Sequence, residues 1–131
     1  MDAIARIRHK FGRGPDHLRL GRLGEDLAAN MLVGQGYRLV ERNLKVGGRE
    51  VDIIAVEGDH LVFVEVKTRS GSSFGHPLLA VDRKRRTRLR QAAAIYTSRR
   101  GLRPASIRFD IVVVDFESSP KAKVELIRNA F

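Results

Sequence analysis

Asp52, Glu65 and Lys67 are three ionisable residues in a stretch that should form a dry sheet. They lie within REVDIIAVEGDHLVFVEVKTR, residues 49–69, where most neighbours are aliphatic. The Gly58-Asp59 pair is a hairpin-turn signal. A two-residue loop would pair Glu57 with His60, a four-residue loop Val56 with Leu61, and both give one register. Moving outward, Ile54 faces Phe63, Asp52 faces Glu65 and Glu50 faces Lys67. Side chains alternate along a strand, so these pairs share a face. Opposed residues hold their Cβ atoms about 4.5–5.5 Å apart. Two carboxylates that close among aliphatic groups need a proton, a cation or a metal between them. Hard divalent cations favour such oxygens, and Mg²⁺ takes one or two carboxylates together with water and phosphate. A simpler reading exists for Lys67, an ion pair at a strand end with no chemistry. The opposed Asp52 tips the balance toward a metal site, because clustered acids with a cation mark functional tuning.

The elements that must position these groups are legible in the periodicity. GRLGEDLAANMLVGQG, residues 21–36, places Leu23, Leu27, Ala28, Met31 and Leu32 at helical spacing, with Gly34 and Gly36 as the stop. YRLVERNL reads as a strand and KVGGR as a turn. Glu50–Val56 and Leu61–Lys67 are strands rich in Val and Ile, and RSGSSFGHP is a loop. Val81 to Arg100 reads as a long helix with Asp82 as N-cap and Gly101 as its end. SIRFDIVVVDF is a further strand and KVELIRNAF supplies a short last one. A strand, a helical crossover and another strand favour parallel pairing after the meander. The expected class is therefore α/β, a mixed sheet with an antiparallel meander and one parallel strand, flanked by helices. Residues 1–20, broken by Gly12, Gly14 and Pro15, are expected to form a basic mobile arm, with a short helix near Ala3 to Phe11. Residues 21–131 are expected to form a single domain.

Composition narrows the function. The chain has 131 residues, 43% of them hydrophobic, which suits one domain with a real core. Lys and Arg number 25 against 15 acids, a formal net charge of +10. A small domain that basic usually meets a polyanion, most often nucleic acid. The absence of Cys excludes disulfides, thiolate zinc sites and a Cys nucleophile. No apolar run reaches the roughly 20 residues of a membrane helix, and the N-terminus lacks the apolar stretch of a secretion signal. The expectation is a cytoplasmic protein with no membrane partner.

The D…E-x-K pattern on a hairpin followed by a helix resembles the PD-(D/E)XK nuclease superfamily. More closely, the chain resembles the YraN-like family of small bacterial proteins, described as predicted endonucleases related to archaeal Holliday-junction resolvases. The matching pieces are GRLGEDLAANML, REVDIIA, LVFVEVKTR, FGHP, Ala80-Val81 before a Lys/Arg-rich helix, RFDIVVV and IRNAF, which together span nearly all of the chain after Leu20. The resemblance implies a restriction-endonuclease-like sheet. It implies Asp52 and Glu65 as ligands of Mg²⁺ or Mn²⁺, the Val66 carbonyl as a further ligand, and Lys67 as the residue that positions water or stabilises the transition state. Glu25 matches the helical acid of resolvase-like members, a ligand directly or through water. Val51 stands where the superfamily name has Pro, Arg49 where Gly is usual, and Leu79 where an acid is common; these departures bear on substrate choice more than on metal binding.

Other residues have a bland reading beside the sharper one. Glu25 suits a helix's first turn through the helix dipole, yet its spacing with Ala28, Ala29 and Leu32 turns it toward the sheet. Arg83, Lys84, Arg85, Arg86, Arg88 and Arg90 could form a solvated face. Their single sign and their place after the active strand favour phosphate contacts, led by Lys84, with Gln91 one or two turns on. Asp110 is expected to be structural, paired with Arg108 or the helix. His9, His17, His60 and His76 show no metal-ligand spacing. Two functions fit these features: a metal-dependent endonuclease acting on DNA, and a non-catalytic nucleic-acid-binding module that keeps the fold. RNA fits the charge as DNA does, and a four-way junction would require a homodimer.

Overall fold

The computed structural model describes residues 16–69, 81–116 and 122–131. The expected helix near Ala3 to Phe11, most of the RSGSSFGHP loop, His9, His76 and Leu79 lie outside that set. Two helices and five strands follow in the order α1 (Asp16–Gly34), β1 (Arg38–Val46), β2 (Arg49–Glu57), β3 (His60–Arg69), α2 (Arg83–Arg99), β4 (Ser106–Asp115) and β5 (Lys123–Ile127). The strands form one sheet in sequence order, β1-β2-β3-β4-β5. β1, β2 and β3 run antiparallel, β3 and β4 parallel across the α2 crossover, and β4 and β5 antiparallel. This is the mixed α/β sheet expected from the sequence. The first helix starts at Asp16, before Gly21, so part of the expected arm is helical.

Both sheet faces are covered. α1 buries Ala28, Ala29 and Leu32 against Ile53, Ala55, Val62, Val64, Val112 and Val114. On the other face α2 buries Leu89, Ala92, Ala93 and Tyr96 against Val51, Ile54, Leu61, Phe63, Ile111 and Val113. Alternate residues of β3 and β4 thus face different helices, and this double burial makes them read as continuous apolar runs. Paired alanines on each helix let its backbone approach the sheet closely.

Turn chemistry sets the registers. Gly47 and Gly48 both have positive φ, 57° and 78°, as a two-residue type I′ turn requires. The expected Lys45–Arg49 turn is therefore narrower, and Val46 pairs with Arg49. In the next hairpin Glu57 pairs with His60 around Gly58 (φ 58°), which selects the two-residue loop.

At that end of the sheet Asp110 is fully buried and fully partnered. It accepts from Tyr37 Oη at 2.6 Å, from both Nε and Nη2 of Arg108 at 2.9 and 2.8 Å, and from Asn129 N at 2.9 Å. Arg108 also reaches Glu57 at 2.7 Å, and Glu57 takes Arg128 at 3.0 Å. The structural role expected for Asp110 is the one observed.

A candidate carboxylate site at the open end of the hairpin

The β2–β3 ladder runs from Glu57↔His60 to Ile53↔Val64 and stops there. The register is the expected one, but Asp52 and Glu65 do not continue it as a backbone pair, nor do Glu50 and Lys67. Instead the Val66 amide donates to Asp52 Oδ2 at 2.8 Å, so a side chain takes the place of the backbone partner. Two further observations place a kink here. Val51 packs on the α2 side and Ile53 on the α1 side, although two residues apart they should share a face. Between the pairs Arg42↔Ile53 and Leu44↔Val51, Asn43 lies across from Asp52, and its φ is +51°. Asn tolerates this left-handed region better than most residues. The alternation therefore slips at Asp52, and its carboxylate turns toward the strands' open end.

Glu65 meets Asp52 there. Its Oε2 accepts from Nε and Nη2 of Arg85 at 3.0 and 2.8 Å, and the same Nη2 also reaches the Glu50 carbonyl at 3.2 Å. Asp82 Oδ1 accepts from Arg85 N at 2.9 Å, so the N-cap of α2 anchors the residue that ties both strands. Burial pushes Asp52 up to about 7, and the Glu65 charge adds to the rise; the Val66 amide opposes it, and Glu25 contributes a smaller upward push. Glu65 is also raised, by burial, against the lowering effects of Arg85, Lys67 and a hydrogen bond with Asp52. The two carboxyls thus share one buried environment and hold a proton more tightly than exposed acids would.

Glu25 approaches from α1, half-buried, and is close enough for its charge to act on Asp52. Gly24 makes that approach available: a Cβ there would lie 2.1 Å from Thr68 Oγ1 on β3. Lys67 is exposed, and its charge lowers Glu65. Its register partner Val113 and that of Glu65, Ile111, both face α2, so the two side chains share a sheet face as expected.

The basic helix divides. Arg83, Lys84, Arg88 and Gln91 are exposed, the last three on one helix face. Arg86 donates to the Val81 carbonyl at 2.9 Å, and Arg86 and Arg90 lie 5.4 and 5.3 Å from the centroid of the Phe131 ring. Arg85, grouped with the phosphate contacts by its sequence, is turned inward onto Glu65. The signal was present: Val81, Leu89, Ala92 and Tyr96 are buried, and Arg85 lies on that stripe, four residues from each of the first two.

Among the described residues no three acidic, His or Cys side chains converge as a metal-ligand set. The donors offered are two neighbouring carboxyls, buried Asp52 and half-buried Glu65, the number that Mg²⁺ typically takes. Their chemistry fits a hard divalent cation completed by water, main-chain or phosphate oxygens.

The model of the uncharacterised protein family UPF0102 matches residues 24–114. A UPF0102 protein of Moorella thermoacetica is 46% identical over 114 residues, 86% of this chain and 95% of the relative. One of Solibacter usitatus is 47% identical over 113 residues, 85% of this chain and 84% of the relative. One of Geobacter sulfurreducens is 41% identical over 121 residues, 92% and 94% respectively. The chain belongs to the UPF0102 family, to which its YraN-like motifs pointed.

Proposed function

We propose that this UPF0102 member is a Mg²⁺- or Mn²⁺-dependent nuclease that hydrolyses DNA phosphodiester bonds, with the restriction-endonuclease-like arrangement its motifs resemble. The observation that carries this reading is the pairing of two carboxyls, buried Asp52 and half-buried Glu65, at the end of a hairpin, beside an exposed Lys67. A stable fold has no need of that pairing, because like charges in a dry site cost stability. Asp52 and Glu65 would hold the cation, with the Val66 carbonyl as a further oxygen donor and Glu25 reaching it through water. When bound, the cation supplies Lewis-acid charge at the phosphate and lowers the pKa of water.

The chain's own groups do the rest. The Val66 amide fixes one oxygen of Asp52, leaving the other to face the site. Arg85 orients Glu65 through a two-nitrogen grip. In hydrolysis a water oxygen bonds to phosphorus as the bond to the leaving sugar oxygen breaks, and negative charge builds on the phosphoryl oxygens. Lys67 places its ammonium where that charge develops. Arg83, Lys84, Arg88 and Gln91 fix the backbone without reading sequence. A branched substrate would engage two copies of the chain.

One observation favours the second reading, a nucleic-acid-binding module without turnover: Arg85 already neutralises Glu65. A Mn²⁺ titration by calorimetry above neutral pH separates the two. The nuclease reading expects one site in the wild-type protein, lost in Asp52→Ala. Equal heats from both proteins, or none from either, favour the module.

A further inference from the structure

A second surface lies on the same sheet face, between the C-terminal half of α2 and edge strand β1. It consists of two adjoining recesses that share Tyr96. The larger, about 410 Å³, has an apolar floor that includes Val40, Val56, Leu61 and Leu102 and is flanked by Arg38 and Arg103. The smaller, about 90 Å³, is lined by Leu44, Lys45, Val46, Arg99 and Arg100. Val40 and Leu102 are 41% and 42% exposed, large apolar side chains left open to water. Arg100 is paired with Glu41 at 3.3 Å. For Lys45, Arg38, Arg99 and Arg103 no ion pair is found among the described residues, and Asp59 is the acid among the lining residues.

The groove also leads somewhere. Leu44 pairs with Val51, the residue before Asp52, and Lys45 pairs with Glu50. From Val46 to Arg38 the edge strand covers about 26 Å at ~3.3 Å per residue. An apolar floor with a cationic rim, starting beside the carboxylates, fits a ligand that alternates apolar faces with anions. In a duplex the base faces are stacked away, and only phosphates would reach the rim.

We propose that this α2–β1 groove binds a single-stranded nucleic-acid segment, bases on the Val40–Leu102 floor and phosphates on Arg38, Lys45, Arg99 and Arg103. The inference takes its ligand class from the nucleic-acid reading above but does not depend on hydrolysis. It makes the substrate one with an unpaired strand next to the scissile bond.

The test is fluorescence anisotropy in excess EDTA, with a labelled oligothymidylate, an abasic strand of equal length and a duplex. The wild-type protein should bind the thymidylate more tightly than the abasic strand. The double variant Val40→Gln/Leu102→Gln, its fold checked by melting, should lose about tenfold on the thymidylate, the scale of one base contact, and nothing on the duplex. Wild-type affinity in that variant, equal losses on duplex, or no preference for bases in the wild type would each overturn the proposal. So would displacement by polyglutamate at the same charge concentration as by unlabelled thymidylate, since the groove would then belong to an acidic polypeptide. With EDTA present no outcome depends on cleavage, which is tested through Asp52.

Discussion

Asp52 sits far from its ordinary chemistry. Its folded pKa, about 7, lies above the unfolded value of 3.8. The folded state therefore holds the proton more tightly. This contribution to stability is fully present below the unfolded value and is lost as pH rises through the folded one. Without divalent cations, the urea midpoint of the wild-type protein should fall across that window relative to Asp52→Asn, which has no proton to lose. Parallel curves for the two proteins would remove the strain assigned to this carboxylate. The sequence revealed the residue and its neighbour, because register follows from the turn. It did not reveal how Asp52 sits, since the kink depends on Asn43 of another strand and on the Val66 amide, one residue beyond the expected partner Glu65. Nor did it separate Arg85 from the other cations, although the apolar stripe of the helix runs through it.

At the scale of elements, the site depends on how closely α1 lies on β3. Gly24 is a point of close approach, where an added Cβ would meet the Thr68 side chain. In an open helix Gly→Ala gains about 1 kcal/mol of propensity, whereas forcing a methyl into a packed contact costs ~1–3 kcal/mol. Gly24→Ala should therefore destabilise the wild-type protein by about 1 kcal/mol or more, and cost less in a Thr68→Ala background, where Oγ1 is gone and only the Cβ at 3.2 Å remains. Denaturant midpoints of the four proteins give the coupling directly. Additive effects would mean that Thr68 does not set the approach. The helices themselves were legible from their periodicity, and Asp82 was legible as the cap. The early start of α1 was not, because Gly12, Gly14 and Pro15 make everything up to Leu20 read as an arm.

At the scale of the molecule, the two ends of the sheet do different work. One end is locked by a satisfied network: Arg108 joins Glu57 of β2 to Asp110 of β4, beside Tyr37 and the turn after β5. Truncating one partner of a buried pair leaves the other charge uncompensated, at a cost of about 3–5 kcal/mol. Arg108→Ala should show a loss of that order in urea unfolding, with the Mn²⁺ binding proposed for the far end unchanged in the folded protein. A loss below about 1 kcal/mol would reduce the network to a surface ion pair. The other end gathers Asp52, the Arg85-bridged Glu65, an exposed lysine and a basic helix edge. Net charge pointed to a polyanion from the sequence alone. The groove along β1 was not visible there, because its floor and rim come from segments far apart in the chain.

The central claim is that the Asp52–Glu65 pair cuts phosphodiester bonds. Its most direct test is cleavage of a panel of linear, flapped, single-stranded and four-way DNAs in Mg²⁺ or Mn²⁺, by the wild-type protein and by Asp52→Ala in parallel, with binding measured on the same substrates. The account predicts metal-dependent products from the wild-type protein on at least one substrate. It predicts none above background from Asp52→Ala, with DNA affinity within about threefold of wild type, a difference under 1 kcal/mol. Cleavage by Asp52→Ala at the wild-type rate would contradict it.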